Sequence, residues 1–323
     1  IESNSRLGGR VASVDLNHRE IDYNYEAGAI RFYPTHTYML NLLKRYGYKK
    51  EKDFYIIPKN FTIKKIFVKS DQSDLKQSEK QLNTKLLTNR KKFDESYLLN
   101  ITFDTYAKKI LGPELTNRIK VLNAFPHIFT NTSASYGLDL LKRDFDEVEE
   151  FYILKSPLSE LIQKMTNSIK EQKKKIKLNE KFISFNEIEN NIIEVKTNKN
   201  KYQCKNLVLA IPYDNLMKIP SLKNINKLVD TVNPIPLNRM FAIFPKDNYW
   251  HEKLPAVYTD LPVQRIYKKG SELIQIAYSS GKNAEYWKKM EDNSNENKEV
   301  KKVLTKQLRK MFPNKEIKEP EIL

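Results

Sequence analysis

SNSRLGGRV (residues 3–11) poses the deciding question: a chain with only 8 Gly in 323 residues places two of them side by side between two arginines. Glycine lacks a Cβ, so its backbone can approach another group closely and expose N–H groups, and flanking guanidinium groups make an anion a natural neighbour. A tight turn explains the same letters without any ligand. Nine residues do not separate the two readings, so the rest of the chain must.

The length and the 40% hydrophobic content allow a large core and suggest about two domains. No apolar run approaches the ~18 residues of a membrane-spanning helix, and no signal peptide opens the chain. The first residues are Ile1-Glu2 rather than Met, as in a processed or partly covered chain. The single cysteine, Cys204, has no internal disulfide partner, and no Cys/His cluster has metal-ligand spacing, which fits a reducing compartment such as the cytoplasm. A formal charge of +17 suits nucleic acid or an anionic surface. The lysines are scattered, however, and mix with Glu, Asp and Asn through KSDQSDLKQSEKQLNTK (69–85) and NSNENKEVKK (293–302), as on solvated faces. Even the densest run, Lys173, Lys174, Lys175 and Lys177, reads as a loop or helix end, and no nucleic-acid module is recognisable. Hydrolase readings lack support, because there is no G-x-S-x-G elbow, P-loop or H-E-x-x-H helix.

Texture along the chain predicts a mixed α/β protein. TYMLNLLKRYG (37–47) has helical spacing, and FYIIP and FTIKKIFV within 48–68 alternate as strands do. Residues 72–170 are mostly helical by pattern. In SPLSELIQKMTNSI (156–169), Ser156 is a candidate cap, Pro157 suits the first turn, and Leu158, Leu161, Ile162, Met165 and Ile169 form one stripe. The pattern then changes to strands across 176–211, with hairpin tips at ENN (189–191) and TNKNK (197–201) and an apolar run LVLAI (207–211). PLNRMFAIF and ELIQIAYSS read as strands. A last helix carries Val300, Val303, Leu304, Leu308, Met311 and Phe312 on one face before Pro313. The acidic cluster Asp144, Asp146, Glu147, Glu149 and Glu150 reads as a solvated helix start.

Order along the chain then separates the readings of the glycine pair. Glu2 followed by Arg6-Leu7-Gly8-Gly9-Arg10 resembles the second strand and following loop of the flavin-containing amine oxidase family. YEAGAIRFYPTH (25–36) resembles the segment that passes the flavin in that family, in the form of its L-amino-acid oxidase branch. NIIEVKTNKNKYQCKNLVLAIPYDNLMKI (191–219), VYTDLPVQRIY (257–267) and IQIAYSSGKNAEYW (274–287) continue the resemblance colinearly.

The resemblance implies a discontinuous, Rossmann-like FAD-binding domain (1–47 and 173–215), a substrate domain of mixed sheet (48–71 and 216–323) and a helical insertion (72–172). It implies that Glu2 holds the adenosine ribose, while Arg6, Gly8, Gly9 and Arg10 approach the pyrophosphate. Gly28, Ala29, Ile30, Phe182 and Ala210 join them on the FAD. Arg31 would clamp a substrate carboxylate and Tyr267 close over it. Arg239, in RMFAIFPKDNYW, falls where many members carry a lysine that bridges through water to flavin N5, and arginine is a bulkier, planar replacement. The implied reaction is oxidative deamination of an L-amino acid or related amine. The equivalent of a hydride goes to flavin N5, and dioxygen reoxidises the flavin to give peroxide. The family's G-x-G-x-x-G, about 20 residues before the ribose acid, does not occur, and its last flavin-contacting segment would fall beyond Leu323. A catalytically degenerate relative with a structural or binding role is the alternative. Homo-oligomerisation stays open.

Overall fold

The computed structural model describes residues 1–58, 63–68, 78–123, 126–143, 149–220, 222, 232–270 and 272–323. Asp144, Asp146 and Glu147 of the acidic cluster, and residues 69–77 of the lysine-rich stretch, lie outside the described residues. The chain is a mixed α/β protein whose contacts gather it into two units, residues 1–57 with 150–234 and residues 58–149 with 235–323.

In the first unit a hairpin that has no counterpart among the sequence expectations follows the glycine loop. Strands Ser13–His18 and Ile21–Glu26 pair in antiparallel register from Ser13 with Glu26 to His18 with Ile21. The two-residue turn Arg19-Glu20 has positive φ at both positions, 54° and 64°, the twist that a two-residue hairpin demands although neither residue is glycine. Helix Thr37–Arg45 follows. Strand Phe54–Pro58 pairs with Glu150–Leu154, and Phe32, Phe54 and Tyr152 meet edge-on or tilted, with centroids 5.1 to 5.8 Å apart. The stripe on helix Ser159–Glu171 completes this core, with Leu158 and Leu161 buried beside Phe32, Leu43 and Tyr152. A three-stranded antiparallel sheet, Phe182–Ile188, Ile192–Thr197 and Lys201–Cys204, carries the Asn-rich tip, where Asn190 and Asn191 adopt positive φ.

Two expectations fail here. LVLAI is not a strand: residues 205–212 hold no regular structure, and Val208 is 86% exposed. An apolar run becomes a strand only where another strand offers its N–H and C=O groups, and none of the described strands pairs with it. Nor does Ser156 cap a helix. The helix begins at Ser159, after a tight turn in which Glu160 N and Leu161 N donate to Pro157 O and Leu158 O. Its leading N–H groups are satisfied from the hairpin instead: Leu158 N donates to Glu26 Oε1 at 2.7 Å and Ser159 N to Ser13 Oγ at 3.2 Å. Ser13 Oγ in turn donates to the same Glu26 oxygen at 2.8 Å.

The second unit has two cores. One is helical: Leu82, Leu86, Leu98, Phe103, Tyr106, Ile119, Phe129 and Leu138 pack from helices that include Glu79–Asn89, Phe103–Leu111, Pro113–Leu122 and Ala134–Lys142. Ser78 caps the first of these in a reciprocal box with Gln81. The other is a five-stranded sheet in the order Ile63–Ile66, Ala256–Thr259, Arg265–Lys268, Leu273–Ser280, Leu237–Ile243. Its first pair is parallel and the rest antiparallel. Every residue of Leu273–Ser280 is buried, the pattern of a strand covered on both faces. Trp287, Val300, Leu304 and Leu308 from helices Lys282–Asp292 and Lys298–Met311 join this sheet's core.

Because a carboxylate at a helix N-terminus is both a charged acceptor and a favourable charge for the dipole, Glu26→Ala should lower the unfolding free energy by about 2 kcal/mol. Urea titration checks this: the midpoint should fall while the slope stays unchanged.

Candidate active site

The glycine loop is closed by its own arginine. Gly8 and Gly9 have φ of 105° and 53°, and Val11 N donates to Gly8 O at 2.9 Å. Arg6 folds back over the turn, donating from Nη2 to Gly9 O at 2.7 Å and from Nη1 to Val11 O at 3.1 Å. A Cβ at Gly8 would stand 2.8 Å from Val11 O and 3.4 Å from Ile162 Cγ1, whereas one at Gly9 would meet nothing within 4 Å. The pair therefore divides its work, one glycine for packing and one for an open backbone.

The second glycine segment lies directly on this loop. Ala29 N donates to Arg10 O at 3.0 Å and Ala27 N to Ala12 O at 2.8 Å, and a Cβ at Gly28 would overlap the Arg10 carbonyl. Gly28 is thus required by backbone approach rather than by φ. Arg10, Gly28 and Ala29 are brought together, with half-buried Ile30 and exposed Arg31 continuing the segment. Arg31 Cζ sits 4.9 Å from the centre of the Phe151 ring. Glu2 is held at the loop's other end, its N donating to Lys177 O and its O accepting from Glu180 N. Asn4 N and Asn4 Nδ2 each donate to Glu2 Oε1 at 2.8 Å, and chiefly the backbone bond from Asn4 keeps this carboxyl below its ordinary value. Phe182 is half-buried opposite Thr197 at the start of its strand, and Ala210 is exposed in the segment without regular structure.

In the second unit, Arg239 and Tyr267 both converge on Tyr278. Arg239 is the cross-strand partner of Tyr278, with its Cζ 4.8 Å from that ring's centre. Arg265, 1% exposed, lies at 4.0 Å from the same ring and donates from Nε to Tyr278 O at 3.0 Å. Tyr267 stands 6.4 Å from Tyr278 by ring centroids, and its hydroxyl donates to Tyr258 at 3.1 Å. Gln264, buried with φ 60°, turns the chain into Arg265. Its Oε1 accepts from Ser280 N at 2.8 Å, and Ser280 Oγ lies 2.8 Å from His127 Nδ1.

Sequence reasoning missed Glu26, Tyr258, Arg265, Tyr278 and the His127–Ser280 pair. Glu26, Tyr258, Arg265 and Tyr278 stand inside the motifs quoted for the resemblance, so their position carried a signal. The His127–Ser280 contact joins residues 153 positions apart and left none. Among the described residues, no group of three His, Cys, Asp or Glu side chains is able to hold a metal ion, and no helix is long and apolar enough to cross a membrane.

This architecture has solved counterparts. A double mutant of putrescine oxidase redesigned for cofactor binding shares 12% identity with a TM-score of 0.66, over 96% of this chain and 75% of its own. A putative protoporphyrinogen oxidase from Exiguobacterium sp. 255-15 gives 13% and 0.67 over 99% and 78%. Cyclohexylamine oxidase from Brevibacterium oxydans IH-35A gives 15% and 0.64 over 96% and 75%. At these identities the likeness is one of fold. No curated protein sequence matches the chain. The family model for flavin-containing amine oxidoreductases matches residues 1–323, and the chain belongs to that family.

The family implies an FAD cofactor. The first unit has features that fit one: an open backbone at Gly9, the exposed Arg10 beside it, and a Glu2 carboxylate held ionised, the species that accepts ribose hydroxyl protons. Arg6 is committed to loop carbonyls and shapes the turn.

His127 gives the second unit a pH signature. Burial, aided by the nearby Arg265 charge, pulls its pKa from 6.5 down to about 4. Burial depresses His251 in the same direction. The unfolded chain therefore takes up protons that the folded chain refuses, so stability is fully present above about pH 6.5 and declines as pH falls toward about 4. Thermal melts of wild type across this window should show that decline, and His127→Gln should flatten it.

Proposed function

We propose that the chain is an FAD-dependent oxidase that deaminates an L-amino acid or a closely related amine, with dioxygen as the terminal acceptor. The observation that carries the proposal is the family match across residues 1–323. In this reading residues near 1–47 and 173–215 form the FAD-binding part, and 48–71 with 216–323 the substrate part. FAD, when bound, supplies the two-electron acceptor for the Cα–H bond of the amine.

The chain's own groups bind and orient. Glu2 accepts from the ribose hydroxyls, while Gly9 and Arg10 face the phosphates. Arg31 clamps the substrate carboxylate through paired N–H donors, which fixes the direction of the Cα–H bond. Arg239 holds a water where relatives carry lysine. The exposed guanidinium of Arg31, seated on the Phe151 ring, supports an amino acid over a simple amine, because a preorganised cation selects a carboxylate. A degenerate relative without turnover is the second reading, favoured by the exposure of Ala210 in a segment that holds no strand.

Arg31→Ala should raise the Michaelis constant for L-amino acids by about 10-fold, equivalent to ~1.4 kcal/mol, and leave the matching decarboxylated amines nearly unchanged. Peroxide release across the two series is the readout, and equal effects on both would remove Arg31 from carboxylate binding. For the cofactor loop, Gly9→Val should lower flavin stoichiometry in protein that still melts cooperatively. Full flavin occupancy in that variant would make the glycine pair a turn and nothing more.

A further inference from the structure

Helix Lys298–Met311 borders a groove of about 490 Å³ lined by Lys302, Thr305, Lys306, Arg309, Lys310 and Glu319. The four cations fall at spacings of four, three and one, so they project to neighbouring positions over two turns. Lys302–Lys306 and Lys306–Lys310 are like-charge pairs at i,i+4, an arrangement that weakens a helix. Elsewhere the chain relieves such lysines with an acid one turn away, as in Asp104–Lys108 and Lys288–Asp292. Among the described residues Lys302, Lys306, Arg309 and Lys310 make no ion pair. Arg309 is fixed all the same: its Nε and Nη2 donate to Ile317 O at 2.9 and 2.7 Å, so its guanidinium is already ordered before any ligand arrives.

We propose that this groove binds a small anion carrying two or more linked phosphates. Repulsion that no ion pair among the described residues offsets is relieved by a ligand that brings negative charge, and Arg309 gives that ligand one preorganised donor among three ammonium groups. The eight residue steps from Lys302 to Lys310 span about 12 Å along the helix, the reach of a short phosphate chain. Glu319 in the lining argues against a nucleic-acid backbone or an anionic membrane, either of which would lay uniform negative charge across it. The groove is independent of the proposed oxidase reaction.

The test is calorimetric titration of the flavin-loaded protein with inorganic tripolyphosphate at about 0.1 M salt. Wild type should bind in the micromolar range, and the affinity should fall steeply with added salt. Lys302→Glu/Lys306→Glu should lose about 10-fold or more in affinity, while its melting temperature stays level or rises as the like-charge pairs are relieved. Lys174→Glu/Lys175→Glu, which removes the same charge from the densest lysine run, should stay within about 2-fold of wild type. No binding up to 1 mM, equal loss in both variants, or loss confined to the Lys174/Lys175 pair would each overturn the assignment. If the glutamate pair unfolds, Lys302→Gln/Lys306→Gln takes its place, with the same loss expected.

Discussion

The first unit depends on one close approach, the carbonyl of Arg10 laid against Gly28. Because residue 28 has no side chain, the N–H groups of Ala27–Ala29 reach the carbonyls of Arg10 and Ala12 and donate to them. Two residues before Gly28, Glu26 gathers Ser13 and the start of helix Ser159–Glu171 onto one carboxylate oxygen. The same helix returns Ile162 to the flank of Gly8. Loop, hairpin and helix thus share a single anchorage. Nothing in it is a large hydrophobic contact; it is a geometric constraint with charged hydrogen bonds as fasteners.

This arrangement explains why so few glycines are placed where they are. At Gly9 the reason is an open backbone, at Gly8 a crowded turn, and at Gly28 a backbone crossing. An open backbone and a tight turn are therefore no alternatives here, since the first belongs to Gly9 and the second to Gly8. Arg6 makes the turn rigid by gathering its carbonyls, and Arg10 remains exposed beside Gly9.

How much was legible in the sequence follows the range of the interaction that makes each element. Helix Lys298–Met311 and the hairpin tip at Asn190-Asn191 could be read directly, since periodicity and local backbone preference produce both. The strand pairing that sets Arg239 across from Tyr278 was half legible: both segments looked extended, but register is a relation between distant stretches. LVLAI misled because apolar β-branched composition reports burial preference and says nothing about whether a pairing edge is present. Ser156 misled for a related reason, because the helix takes its cap from Glu26, 132 residues away.

The left-handed turn at Gln264 carries a consequence for how this family member is able to vary. Side chains alternate across a strand, and Gln264 is the residue that sets which face Arg265 takes as the strand begins. A one-residue change in length between Asp260 and Gln264 would send Arg265 to the opposite face, away from Tyr278; a deletion would bring Ile266 into its place and an insertion Gln264. The length of this short connection is therefore under the same constraint as the identity of the arginine. Among sequences of this kind, insertions should accumulate in other loops and spare this one, so that a gap-free stretch from Thr259 to Tyr267 marks chains that keep the stacked guanidinium.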